Sequence, residues 1–476
     1  MLGLFGTLNL ASRSLQTQMT GLEVTGQNLA NVNTTGYSRQ RVNITSSPDL
    51  MTSIGPEGTG ADATSITQIV SNLLNSQIQT QSSSTGYWNS QQTALQTAQD
   101  ALGEFLNGSS TSSTSSTSST STTTAGTGLS TQLNNFFAAF SALSSSDSTA
   151  NRQAAISAGQ SLATTFNNIN TQLGTVKTGL NNSLNDDVSS ANTLLSDIAS
   201  LNSKISSAEA GGGNANDLRD EREQDLENLS QLTNITTSTA SNGAVNITIG
   251  GQTLVSGGTV SDKLQTYDAG GGQMLIETAS SGTPLTLTGG SIQGTIDARD
   301  GTLANMQSSI NTLASTLITQ VNTVLGSGYN SSGGTGNSYF TGSDAGTISV
   351  NASLKNDPSL LQIASSSTVS GDTSLALQVS QLSSTTQSAL NNETFSDSYT
   401  STVADLGNAL NTANTQATDQ ASVASMLSTQ RSSVSGVNVD EEMTNMMTFQ
   451  RAYEASAQVV TTVNTLLGDT LAMKTS

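Results

Sequence analysis

The densest set of ionisable side chains is Asp217-Leu218-Arg219-Asp220-Glu221-Arg222-Glu223-Gln224-Asp225-Leu226-Glu227-Asn228-Leu229. Paired carboxylates do acid–base work, or hold a cation, when burial or a neighbour drives their proton affinities apart. Here acids and arginines alternate at near-neighbour helical spacing, which lets them neutralise one another on an exposed face. The run therefore reads as an ion-paired surface helix. Elsewhere the reacting groups are missing. The chain has no histidine and no cysteine, which removes Ser–His and Cys–His nucleophiles, thiol chemistry and imidazole or thiolate metal sites. No GxSxG elbow, GxxxxGK loop, HExxH pair or EF-hand spacing occurs. The glycines of 240–295 and 326–346 read as turn formers and compose no dinucleotide fingerprint. Two distant carboxylates would suffice for a glycosidase, yet aromatic platforms for a sugar are scarce at 4 % of residues. The expectation is a protein with no catalytic residue, no cofactor and no metal.

What the sequence does pattern strongly is its two ends. Leu8, Leu15, Leu22 and Leu29 fall every seventh residue, with Leu4, Ala11, Gln18, Thr25 and Val32 at the companion position. In the tail, Val439, Met446, Tyr453, Val460 and Leu467 repeat likewise, with companions Met443, Gln450, Ala457, Asn464 and Leu471. A 3.5-residue repeat keeps one stripe facing a partner helix. Two such seams invite each other, so the ends are expected to pair as a coiled coil. Gly3, Gly6, Gly21 and Gly26 weaken the first helix by about 1 kcal/mol each relative to Ala. Such a pair is expected to gain order when several copies pack together. A plain helical hairpin on a globular core is the alternative.

Composition bounds the partners. The formal net charge is −20 without a basic cluster, so nucleic acid is not expected as a partner. No run approaches the ~20 apolar residues of a membrane span, so no membrane insertion is expected. The opening MLGLFGTLNL is apolar but lacks a basic start and a cleavage site. It also continues the leucine repeat, so it reads as mature structure, and any export is expected to leave it in place.

Along the chain, Asn31, Thr34, Gly36 and Tyr37 sit in a turn that ends the first helix. Residues 40–44 alternate like a short strand, and 62–106 read as a long helix that Ser82-Ser83-Ser84-Thr85-Gly86 could bend or break. Residues 109–124 are only Ser and Thr, a tract that reads as a linker or, on composition alone, an O-glycosylated segment. Helical spacing covers 129–145 and about 150–209, and period two runs from about 235 to 295. Helices return at 296–325 and at 374–435 with a break near 391–393. Asn438 and Glu441 have capping-box spacing before the tail helix. The expected fold is mainly α with β-rich parts, an elongated multi-domain chain. Residues 1–40 and 437–476 would form the terminal coiled-coil domain. Residues 41–234 and 296–436 would form a helical domain with a linker at 107–127, and 235–295 a β-rich outer insert.

The run Ala30-Asn31-Val32-Asn33-Thr34-Thr35-Gly36-Tyr37 resembles the ANxxTxGY motif of bacterial flagellar rod, hook and hook-associated proteins. The tail from Asn438 to Met443 and from Phe449 to Val460 is similar to the C-terminal helix of that group. Tyr37-Ser38-Arg39-Gln40-Arg41-Val42, the Asp217–Leu229 helix and the stretches 339–348 and 356–360 bring the resemblance to the hook–filament junction family of FlgK type. It covers about 80 residues at the ends closely and the middle in scattered segments.

The resemblance implies a structural protein of the flagellum, extracellular and secreted without a cleaved signal peptide. It implies a ring of copies at the distal end of the hook, contacting hook protein, a second junction protein and indirectly flagellin. It also implies passage through the type III export apparatus with an export chaperone on the C-terminal helix. The expected interface residues are Leu8, Leu15, Leu22, Leu29, Asn31, Thr34, Gly36, Tyr37, Met443, Met446, Tyr453, Val460, Leu467 and Leu471. A hook or distal-rod subunit is the rival within the group, and an extracellular adhesin the rival outside it.

Overall fold

The computed structural model describes residues 3–52, 55–107, 128–369 and 371–475. Almost all of the expected linker, including the Ser/Thr tract, lies outside them. The fold is mainly helical with small antiparallel sheets. Helix α1 (Leu4–Ala30) leads into a β-ribbon of β1 (Gln40–Ser46), β2 (Leu50–Thr52), β3 (Gly55–Glu57) and β4 (Ala61–Gln68). β1 pairs antiparallel with β4, from Gln40 opposite Gln68 to Ser46 opposite Ala61. The helix expected over 62–106 thus begins as a strand. Alternation through Ile66 and Gln68, beside a partner strand rich in β-branched residues, overrides the helical spacing.

Helix α2 (Asn72–Asn107) runs unbroken through Ser82–Gly86. These small residues allow close approach instead of bending the helix. A Cβ on Gly86 would strike the carbonyl of Gln231, one on Gly294 the carbonyl of Tyr87, and one on Gly289 the Ser83 hydroxyl. Helix α3 (Leu129–Ser145) lies on α4 (Thr149–Glu209), which spans 61 residues and so about 90 Å. Its N-cap is Ser148, whose hydroxyl accepts from the Asn151 amide. Helix α5 (Asn216–Leu232) follows.

The β-rich part is a four-stranded sheet in the order β5 (Thr236–Thr239), β6 (Val245–Ile249), β7 (Gln252–Ser256) and β8 (Thr259–Val260). A hairpin of β9 (Leu264–Asp268) and β10 (Met274–Thr278) completes it. Within the expected period-two region, 284–287 makes only a single bridge, Pro284 to Glu277. Helix α6 (Gly290–Asp297) already occupies 290–295, because Gly290, at φ +82°, turns the chain out of the extended state there. A π-helical segment, Ala298–Leu303, carries it into α7 (Ala304–Gly326). The short strands β11 (Phe340–Thr341) and β12 (Ser349–Val350) precede α8 (Ala352–Asn356), α9 (Ser374–Gln381), α10 (Phe395–Ser435) and α11 (Val439–Thr475). The break expected near 391–393 coincides with Asn391 and Asn392, both at positive φ.

Two apolar cores share α4. The first gathers Phe136, Phe140, Phe166, Tyr339, Phe340 and Phe395 along the first half of that helix. The second gathers Leu184, Leu195 and Ile198 of its later part with Leu226, Ile247, Leu254 and Ile276. Among the described residues neither core includes α1, β1–β4 or α11.

Candidate assembly site

Helices α1 and α11 pack against each other antiparallel. Ser14 and Ser456 share a hydrogen bond of 2.9 Å. A Cβ on Gly21 would come within 2.7 Å of the Phe449 ring, so the missing side chain forms the socket for that ring. Asn28 Nδ2 donates to Glu442 Oε2 at 3.1 Å. These contacts recur every seventh residue on both helices in opposite directions, as a coiled-coil seam requires. They lie one residue before Leu15, Leu22 and Leu29. The buried residues of α1 are Ala11, Thr17, Gly21, Val24, Thr25 and Asn28, with Thr17 turned to the Ala61 carbonyl of β4, while Leu8, Leu15, Leu22 and Leu29 are half-buried.

The tail shows the same offset. Met446, Val460 and Leu467 are half-buried, whereas Met443, Tyr453 and Leu471 are 51 %, 37 % and 67 % exposed. The inward companions are Glu442, Phe449, Ser456 and Val463, in place of the expected Met443, Gln450, Ala457 and Asn464. The physical reason is fit. A glycine socket and a buried asparagine select a ring and a carboxylate, and leucines cannot serve those neighbours.

Asn28 is the hub of the site. It is 1 % exposed. Its Nδ2 also donates to the Gln40 carbonyl at 2.8 Å, and its Oδ1 accepts from the Gln40 amide and the Tyr37 hydroxyl, both at 2.9 Å. One side chain thereby satisfies the end of strand β1, the turn and α11. Arg39 closes the other side, donating from Nε to Glu442 and from Nη2 to Glu441, each at 2.7 Å. Those bonds, that to Glu441 foremost, push the Arg39 pKa up. Glu441 is therefore not the expected capping-box partner. Asn438 Oδ1 accepts from the Asp440 and Glu441 amides, and the Glu441 carboxylate goes to Arg39.

The turn is built by its own residues. Thr34 Oγ1 donates to Asn31 Oδ1 at 3.1 Å, the Thr34 amide to the Asn31 carbonyl at 2.9 Å, and the Tyr37 amide to the Thr34 carbonyl at 3.2 Å. Gly36 sits at φ +82°, where a side chain is strained. Burial, then the charges of Asp217, Asp220 and Glu442, push the Tyr37 phenol up to about 12, so it stays a donor.

Helix α5 meets this turn, and its charges differ from the expected surface ladder. Asp220 and Arg222 are 8 % and 7 % exposed. Asp220 accepts from the Ser38 amide at 2.8 Å and from Gln68 Nε2 at 3.1 Å, and Asp217 accepts from Gln40 Nε2 at 2.8 Å. Arg219 pairs with Glu209 of α4 at 2.7 Å, and Arg222 donates to Asn202 at 2.9 Å and to the Gly243 carbonyl at 2.8 Å. Glu223 accepts from Gln79 of α2 at 2.9 Å, and Glu227 pairs with Arg431 of α10. The charges of α5 thus reach several different elements. A polar cleft of about 570 Å³ lies between the turn, α5 and the end of α10. Among the described residues no group of three or more metal-type ligands occurs, and no helix is long and apolar enough to cross a membrane.

Comparison with known proteins gives consistent likenesses. Residues 115–340 match the family described as flagellar hook-associated protein FlgK helical domain. Residues 428–473 match the flagellar basal body rod FlgEFG protein C-terminal family, and 8–37 the flagella basal body rod protein family. The chain is 28 % identical to flagellar hook-associated protein 1 of Bacillus subtilis over 98 % of both chains. It is 48 % identical to flagellar hook-associated protein 1 of Salmonella typhimurium over 75 residues, 16 % of this chain and 14 % of the other. In fold it is similar to the flagellar hook junction protein FlgK from Burkholderia pseudomallei, with a TM-score of 0.62 at 16 % identity, covering 75 % of this chain and all of that one.

Proposed function

The chain belongs to the FlgK family of flagellar hook-associated proteins, and from that premise we propose how it works as a structural subunit where the hook meets the flagellin filament. The observation that carries the reading is the pairing of the two chain ends through Ser14–Ser456, Gly21–Phe449 and Asn28–Glu442. Such a pair presents a half-buried leucine flank on α1 and an exposed Met443, Tyr453 and Met447 face on α11. Those surfaces pack against further copies in a ring, with Leu8, Leu15, Leu22, Leu29, Met446, Val460, Leu467 and Leu471 completing the contacts. Asn31, Thr34, Gly36 and Tyr37 direct the chain out of that ring. The helical body and β-rich insert face outward. Hook protein lies on one side, and a second junction protein and flagellin on the other.

The chain works by assembly and not by catalysis. It reaches the flagellum through the type III export apparatus with its N-terminus retained, and an export chaperone holds the C-terminal helix beforehand. Methionines 443, 446 and 447 suit that transient contact because their side chains adapt to different partners. Electron microscopy of cells lacking the gene, with flagellin assayed in the medium, tests the role. Complete hooks without filaments and secreted monomeric flagellin are expected. Normal filaments would overturn the junction role, and truncated hooks would favour a hook or rod subunit.

A further inference from the structure

We propose that Asp220 is the positioning residue that sets the terminal unit, made of α1, β1–β4 and α11, on the helical body. This concerns how two parts of one chain are held together, and it goes beyond the junction role. The terminal unit contributes nothing to either apolar core among the described residues. Polar contacts join it to the body. Asp220, on the body, takes one hydrogen bond from each of the paired strands: the Ser38 amide just before β1 and the Gln68 side chain at the end of β4. Beside it Asp217 accepts from Gln40, Asn216 donates to Gln40 Oε1 at 3.1 Å, and Asn214 donates to the Ile66 carbonyl at 2.9 Å. The chain itself crosses the joint at Ile69–Ser71 and at Gly436, where the Arg39 amide donates to the Ser435 carbonyl at 2.8 Å.

Two hydrogen bonds on one buried carboxylate, from two strands in fixed register, define an angle where a single bond would define only a distance. The open cleft beside the joint leaves room for other angles once the carboxylate is gone. The clasp therefore holds the outer body at one inclination to the terminal coiled coil.

The absence of cysteine makes the test direct, because pairs of introduced thiols carry spin labels without background. Labels on Gln16→Cys and Lys204→Cys, both exposed positions, report the angle across the joint in the full chain. Labels on Gln16→Cys and Gln458→Cys report the terminal pair alone. With Asp220→Ala the distance distribution across the joint is expected to broaden about twofold, as a locally released segment does, while that of the terminal pair stays unchanged. Asp220→Asn, which keeps one acceptor oxygen, is expected to fall between. A distribution in Asp220→Ala as narrow as in the native chain overturns the proposal, and so does a native distribution already that broad. If Asp220→Ala loses helical circular dichroism, Asp220→Asn decides by the same criterion. The outcome is independent of where the protein stands in the flagellum, which the gene deletion reads.

Discussion

Asn28 and Asp225 are polar side chains in partly or wholly dry surroundings, with opposite consequences. Asn28 is fully matched: both amide atoms are used, and its removal takes their partner from the Gln40 amide, the Gln40 carbonyl and Glu442 Oε2. An unsatisfied buried group costs about 1–3 kcal/mol. Asn28→Ala is therefore expected to lose about 3 kcal/mol of the α1–β1 docking, read as faster hydrogen exchange at the amides of Gln40 and Arg41. Unchanged exchange there would show that another group replaces the bonds. Asp225 is poorly matched: partial burial, then the charges of Asp197 and Glu221, push it up to about 6. The folded state thus holds this proton more tightly than the unfolded chain, whose aspartate titrates near ~3.9. The wild type gains stability as pH falls from about 6 to about 4, and bears the full cost of the charge above that window. The side chain is only half-buried, so solvent screening cuts the effect to about 1 kcal/mol. Asp225→Asn is expected to melt higher than wild type at pH 7.5 and equally at pH 4. A constant difference at both values would assign the effect to packing.

At the scale of elements, the terminal helices show what spacing reveals and what it conceals. The leucine repeat was enough to expect a pair of helices at the two ends, since a heptad is a property of side-chain size alone. It placed the companions Ala11 and Thr25 at buried positions but set the leucine line one residue beyond the contacts with the tail helix, which run through Ser14, Gly21 and Asn28, residues that hydropathy reads as gaps. Close approach and buried hydrogen bonding leave no apolar periodicity to read. The same blindness made Ser82–Gly86 look like a break, when that segment is the place where α5 and α6 cross α2 closely. It also made the α5 charges look like a surface ladder, when their partners are up to 204 positions away in sequence. Strand β4 was hidden for a related reason, its partner lying in β1. The half-buried leucine flank leads to a prediction about assembly. Leu22→Asp is expected to leave the α3–α10 body folded by circular dichroism and to abolish incorporation at the hook, scored by immunogold labelling of isolated hooks. Normal incorporation of that variant would remove the leucine flank from the interface.

Over the whole molecule, α4 carries the load of both cores. Leu162 and Phe166 lie in the aromatic-rich core, and Leu184, Leu195 and Ile198 in the core beneath the β-rich sheet. One continuous helix through two cores leaves open whether they stand or fall together, and the contacts decide it. Besides α4, the cores are linked by the packing of α2 on α5 and α6, by the Glu227–Arg431 pair between α5 and α10, and by the π-helical segment, where buried Arg299 ties Asn181 to Asp300. A helix does not transmit melting efficiently when each half is held by its own packing, because opening is local wherever side-chain contacts are. Leu195 is fully buried, and Leu195→Ala should cost about 3 kcal/mol of the second core. Hydrogen exchange is expected to speed up in Val245–Ile249 and Gln252–Ser256, while Leu129–Ser145 and 339–350 keep their native protection. Equal loss in both regions would mean that α4 couples the cores into one cooperative unit, so that a lesion under the β-rich sheet would be felt throughout the body. Separate loss would let the β-rich sheet vary in sequence and stability while the aromatic core keeps the helical body intact.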